Sequence, residues 1–228
     1  MAFRTLVVAG PPSRVLVDLA REARFVVVQH RRAHLMDRLF VGSTANGAAA
    51  HCACPVISVP EDWERPAAGA SIGEVVVGVH EGGTPPQALV AAFEWAAASG
   101  APLRVLHSWR LDPAYDDIIS ARVAAEWRER QLRELATAVL GLRALHPDVH
   151  VELEVAHQWP TEALVDHSRR ASLVVVGRHA HGWAGEHLGS VARTLLREAQ
   201  GPVMVVPVER HRGDQDWGLD ADEISPQT

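Results

Sequence analysis

The chain has 228 residues, 47% of them hydrophobic and 22% charged, with a formal net charge of -6. That length supplies one large or two small hydrophobic cores, and the acidic balance argues against a nucleic-acid surface. All 22 basic side chains are Arg, so a P-loop, which needs Lys at the phosphates, and Schiff-base chemistry are both excluded.

No apolar run approaches the roughly 18 residues of a membrane-spanning helix, so no membrane partner is expected. Met1-Ala2-Phe3-Arg4-Thr5 has no signal-peptide layout, and the two cysteines make no disulfide framework. The expected location is the cytoplasm.

Taken in order, Leu6-Val7-Val8 reads as a strand, Pro12 to Ala23 as a helix and Phe25 to Val28 as a strand. Thr44 to His51 reads as a short helix and Val56 to Val59 as a strand. Residues 61–73 mix Pro, Gly, Ala and charge, which marks a linker. Beyond it, Glu74 to Val79 predicts a strand. Pro85 to Ser99 predicts a helix capped by Thr84, with Pro85 in its first turn. Leu103 to His107 is the next strand. Ile119, Val123, Trp127, Leu135, Val139 and Leu142 recur at helical spacing within Asp116 to Leu145. Val149 to Val155 is again a strand. Residues 209–228 hold six acids and two Arg with few apolar side chains, the composition of a disordered acidic tail.

An internal repeat organises these elements. Pro12-Ser13-Arg14-Val15-Leu16-Val17-Asp18 returns as Pro160-Thr161-Glu162-Ala163-Leu164-Val165-Asp166, and Phe25 to Val28 as Leu173 to Val176, both offset by 148. Gly42-Ser43 returns as Gly189-Ser190, and Pro55 to Pro60 as Pro202 to Pro207, both offset by 147. A one-residue deletion therefore lies in the second loop. Strands alternating with helices imply parallel βαβ units, so the fold class is α/β with a doubly wound parallel sheet.

The stretch with most chemistry begins at Val176-Gly177-Arg178-His179 and ends at Gly189-Ser190-Val191. A buried strand runs into a Gly- and His-rich loop, then a helix start with Ser190 as the expected N-cap. Unpaired amides and the helix dipole there favour an anion.

This stretch resembles the signature of the universal stress protein family: Gly, two residues, Gly, nine residues, then Gly-Ser or Gly-Thr. Gly177 and Gly189-Ser190 match, Ala180 stands at the second Gly, and the spacer from His181 to Leu188 is one residue short. The resemblance implies a five-stranded parallel sheet in the order 3-2-1-4-5 over residues 74–208. Residues 1–60 would then be an incomplete repeat holding strands 3, 4 and 5. Three arrangements of that repeat are open. Strand 3 could sit directly beside strand 4, another chain could supply the intervening strands, or Met1 could be an internal start.

The resemblance also implies adenine-nucleotide binding, ATP with Mg2+, in a stress-response or signalling role. The implied contacts are His80, Val176, Gly177, Arg178, His179, Gly189, Ser190 and Val191. His80 replaces the family's Asp at the end of strand 1, and Arg178 is expected to pair with phosphate. The corresponding loop of residues 1–60 carries Gln29 and Arg32 at both early Gly positions and is not expected to bind. The alternative is a nucleotide-free interaction module acting through its strand 5 edges. Those edges, Val56 to Val59 and Val203 to Val206, are expected to pair antiparallel within one chain, or else in a homodimer.

No metal site is expected. His51-Cys52-Ala53-Cys54 lacks a second ligand pair, and His179, His181 and His187 share only a loop. No catalytic constellation is present either, since Ser190 is not in a Gly-x-Ser-x-Gly elbow.

Overall fold

The structure, a computed structural model, describes residues 3–30, 43–64, 73–80, 86–110, 121–178 and 188–207. Its strands are β1 (Val26–His30), β2 (Val56–Pro60), β3 (Val75–Val79), β4 (Leu103–Trp109), β5 (Val151–His157), β6 (Leu173–Gly177) and β7 (Val203–Val206). The α-helices are α1 (Pro12–Leu19), α2 (Ser43–His51), α3 (Pro86–Ser99), α4 (Ala121–Leu145), α5 (Pro160–His167) and α6 (Ser190–Glu198).

All seven strands form one sheet in the order β1-β2-β7-β6-β3-β4-β5. Neighbours run parallel except β2 and β7, which pair antiparallel. The C-terminal repeat alone reads β5-β4-β3-β6-β7, which is the order 3-2-1-4-5 in its own strand numbering. The two repeats meet at β2 and β7 with Val56 opposite Val205, Ile57 opposite Met204 and Ser58 opposite Val203. Each of these strands covers the other's edge, so neither strand 5 edge is left to another chain.

Why these segments become central strands is plain from their composition. Val75, Val76 and Val77, like Val174 and Val175, are fully buried because helices cover both faces of the sheet. On one face α1, α2, α5 and α6 bury Ala48, Leu164, Ala192 and Leu195 against Val76, Val174 and Val176. On the other, α3 and α4 bury Phe93, Leu135 and Val139 against Val75, Val77, Val105 and Val175. The repeat extends to single bonds: Val26 N–H donates to Pro55 O, and its counterpart Val174 N–H donates to Pro202 O, both at 2.9 Å.

A charged cluster closes the sheet at the strand starts. Arg104 donates to Glu74 at 2.8 Å and to Glu154 at 2.7 Å, and Glu152 lies 2.7 Å away. Burial works against the guanidinium, but the bonds to Glu74 and then Glu154 raise its pKa above the ordinary value.

The expected strand at Leu6-Val7-Val8 is not formed. Residues 3–9 belong to no strand, and Val7 is 98% exposed. Its counterpart β5 is held by a ladder of hydrogen bonds to β4, and a strand has no stability without such a neighbour. The segment does not pair beside β1 either, because among the described residues β1 pairs only with β2. The tail 209–228, Thr84 and Pro85, and residues 116–120 of the expected long helix lie outside the described residues.

Candidate functional site at the switch point of the sheet

At β3 the direction of winding reverses. The connection from β3 leads through α3 on one face to β4, while β6 leads through α6 on the other face to β7. Helices leaving on opposite faces open a crevice at the carboxyl ends of β3 and β6, the place where open α/β sheets hold ligands. His80 follows β3 and is half-buried there. Val176 is buried, and Gly177 ends β6 half-buried.

Gly78 shapes the crevice floor. A side chain there would put its Cβ 2.9 Å from Leu164 Cδ1, so α5 rests directly on β3. Leu188 is buried and anchors the far end of the loop, with Gly189 half-buried after it.

The helix cap differs from expectation. Gly189, not Ser190, is the N-cap of α6, with φ -58 and ψ 159. Ser190 already lies in the first turn, so its hydroxyl cannot reach back as a cap. No side chain caps this end. Arg193 N–H donates to Gly189 O at 3.0 Å, leaving the earlier amides of the turn as donors for a ligand. Ser190 is exposed and Val191 packs its side chain toward the core.

Arg178 has a different employment from the phosphate contact expected of it. Its Nη1 donates to Ala50 O at 2.8 Å and Cys52 O at 2.9 Å, with Ala49 O at 3.4 Å. These carbonyls are the C-terminal end of α2, where the helix leaves its last acceptors unsatisfied and its dipole is negative. The Arg178 backbone N–H also donates to Val206 O at 2.7 Å. The residue therefore joins the C-terminal repeat to the N-terminal one. Its position beside Gly177 signalled a ligand in the sequence, and nothing local could reveal an acceptor 126 to 129 residues away.

His179, with His181 and His187, lies outside the described residues. Cys52 and Cys54 are buried thiols. Burial first, and then Cys54, push Cys52 up to about 11, with Arg178 pulling the other way. Burial likewise raises Cys54. Among the described residues no group of three His, Cys, Asp or Glu side chains could hold a metal ion. In the N-terminal repeat, the place of Arg178 is taken by His30, buried and 2.8 Å from Ser58 Oγ through Nδ1.

One feature beside the crevice escaped the sequence reading. His107, buried on β4, has Nδ1 3.3 Å from Val79 O at the end of β3. Behind it the rings of Trp127, Trp109 and His157 are stacked in series, with centroids 4.2 Å apart from Trp127 to Trp109 and 4.4 Å from Trp109 to His157. The signal was available: three of the four end adjacent strands, two residues apart or in register.

The family model described as the universal stress protein family matches residues 2–60 and 72–207. A universal stress protein of Mycobacterium tuberculosis (strain H37Rv) is 33% identical over 199 residues, covering 85% of this chain. The chain spans about 62% of that relative's length. Among solved structures, a universal stress protein from Archaeoglobus fulgidus superposes with a TM-score of 0.62 at 18% identity, covering 87% of this chain and 67% of that one. Another from the same organism, in complex with dAMP, covers 59% of this chain and 97% of its own, at a TM-score of 0.43 and 21% identity.

Proposed function

Because the chain belongs to the universal stress protein family, we propose that it binds an adenine nucleotide, ATP in the first instance, in a stress-response or signalling role. The observation that carries this reading is the pairing of a switch-point crevice with a side-chain-free helix cap. Gly177 ends β6 and Gly189 caps α6, so neither of these two residues puts a side chain before the first-turn amides. Phosphates would lie against the N–H groups of Ser190 and Val191. The nucleoside would extend toward His80 and β3, where the imidazole can share a hydrogen bond with a ribose hydroxyl or a base.

Arg178 serves here as the support of the loop rather than as a phosphate ligand, because its Nη1 is turned to α2. No described site residue is a carboxylate, so a magnesium ion would be held by the phosphates and water. The proposed role is binding of the nucleotide.

Titration of ATP by calorimetry tests the assignment. Gly189→Val should abolish binding by placing a branched side chain over the first-turn amides, whereas Gly42→Val should leave it unchanged. Equal losses in the two variants would remove the site from the C-terminal repeat. The nucleotide-free alternative loses its proposed surface, because β2 and β7 already occupy each other's edges.

A further inference from the structure

Both walls of the nucleotide crevice rest on a helix of the other repeat. One wall is the end of β6, at Gly177 and Arg178. The other is the first turn of α6. The helix α2, contributed by the N-terminal repeat, touches both.

Its contact with α6 is apolar. Ala48 and Ala49 of α2 share one buried cluster with Ala192 and Leu195 of α6, and the two helices pack directly together. Its contact with β6 is polar and runs through Arg178. The guanidinium Nη1 donates to Ala50 O at 2.8 Å and to Cys52 O at 2.9 Å. Those carbonyls belong to residues 8% and 0% exposed, so water does not readily replace the guanidinium there.

The main chain closes the circuit. Arg178 N–H donates to Val206 O on β7. β7 pairs antiparallel with β2, Val205 opposite Val56, and β2 follows α2 directly along the chain. Arg178 is thus bonded through its backbone to β7 and through its side chain to the helix that leads into β7's other neighbour. A displacement of α2 is felt at the residue next to Gly177, and the reverse.

The internal repeat shows that this link is not a product of symmetry. The counterpart of Arg178 is His30, whose Nδ1 lies 2.8 Å from Ser58 Oγ within its own repeat. The counterpart of Ser58 is Val205, which has no hydroxyl to offer Arg178. The C-terminal repeat sends its side chain across to α2 instead.

We propose that α2 of the N-terminal repeat sets the nucleotide affinity of the C-terminal repeat, with Arg178 as the positioning residue that couples the two, an inference that rests on the nucleotide reading given above. A nucleotide seated on the first-turn amides of α6 and against Gly177 fixes these two elements relative to each other, and both bear on α2. Occupancy then holds the last turn of α2 closed. Loosening α2 weakens binding by the same factor, because coupling between two sites is reciprocal. The N-terminal repeat acts as the regulatory half of the molecule: whatever grips or releases α2 tunes the site.

The experiment uses the full chain, with ATP affinity read by calorimetry and amide exchange read with and without saturating ATP. The reporter is the Cys52 amide, which closes α2 by donating to Ala48 O at 2.8 Å. The control is the Val149 amide, in the turn before β5 at the far end of the sheet. Arg178→Ala should bind ATP about fivefold or more weakly. Arg178→Lys should fall between, because an ammonium keeps the charge and loses the fork. In the parent chain ATP should slow the Cys52 amide about fivefold or more relative to Val149, and in Arg178→Ala, saturated at higher ATP, that slowing should vanish. The parent chain carries this second reading by itself, so it decides even if the variant folds poorly. A Cys52 amide indifferent to bound ATP would overturn the coupling and leave the nucleotide reading standing. Equal affinities in parent and Arg178→Ala would do the same. A parent chain that takes up no ATP would remove the nucleotide reading and the coupling with it.

Discussion

Arg178 is the residue whose surroundings change its meaning most. As one letter of a loop signature it reads as a phosphate ligand. In the fold it satisfies the terminal carbonyls of a helix contributed by the other repeat. Arg178→Ala should cost about 1–3 kcal/mol in urea denaturation, the range for charge-assisted bonds to a helix end. Its signature is faster exchange at the Cys52 amide, which closes α2 by donating to Ala48 O, and unchanged exchange in β4 and β5. Uniform destabilisation without that local loss would contradict the capping role.

Cys52 gives a second test at the same scale. Its thiol rises from the ordinary 9.0 to about 11, first through burial. The folded protein then keeps a proton that the unfolded chain releases, so folding binds protons in that window. Stability is therefore unaffected by this group below about pH 9 and falls as pH rises from 9 toward 11. Denaturation midpoints taken across that window should fall less steeply in Cys52→Ala than in the parent chain. Parallel slopes would remove the thiol from the account.

At the level of elements, most of the fold was legible in the sequence. Valine runs buried on both faces identify central parallel strands, and helices opening on Pro, as α1 and α5 do after Pro11 and Trp159, mark the repeat twice. The antiparallel meeting of β2 and β7 was readable as a need, since two apolar edges required cover, but its register was not. Sequence symmetry allows either equivalent pair, Ser58 with Val205 or Ile57 with Met204, both offset by 147, and the ladder sets Ile57 opposite Met204 and Ser58 opposite Val203. Cysteines introduced as Ile57→Cys and Met204→Cys should oxidise to an intramolecular bridge, detectable by mass on a non-reducing gel band of monomer size. A Ser58→Cys and Val205→Cys pair, offset along the ladder, should bridge far more slowly, because separation beyond about 7 Å between Cα atoms exceeds disulfide reach. Intermolecular product from the first pair would contradict the intrachain sheet.

Leu6 to Val8 shows where element reading stops. Apolar and β-branched residues state a preference for extended structure, but a strand exists only through its neighbour's hydrogen bonds, and none of the described strands stands beside this one. The candidate site divides in the same way. Gly177, Gly189 and the switch point were legible because backbone geometry dictates the residue type. The Gly189 cap, the Arg178 contact and the aromatic series from His107 to His157 were not, because each depends on what the fold brings alongside.

Across the whole molecule, two repeats share one sheet. The C-terminal repeat has the crevice, and the N-terminal repeat braces it through β2 against β7 and α2 against Arg178. In the N-terminal repeat His30 Nδ1 lies 2.8 Å from Ser58 Oγ inside the core. The described residues include no helix long and apolar enough to cross a membrane. The division of labour predicts that ligand contact is confined to one repeat. Amide NMR spectra recorded during ATP titration would read this directly. Shifts concentrated at His80, Gly177 and Gly189 to Val191, with His30 and the start of α2 unmoved, are the result expected. Shifts centred on the N-terminal repeat, or none at saturating ATP, would contradict the central claim.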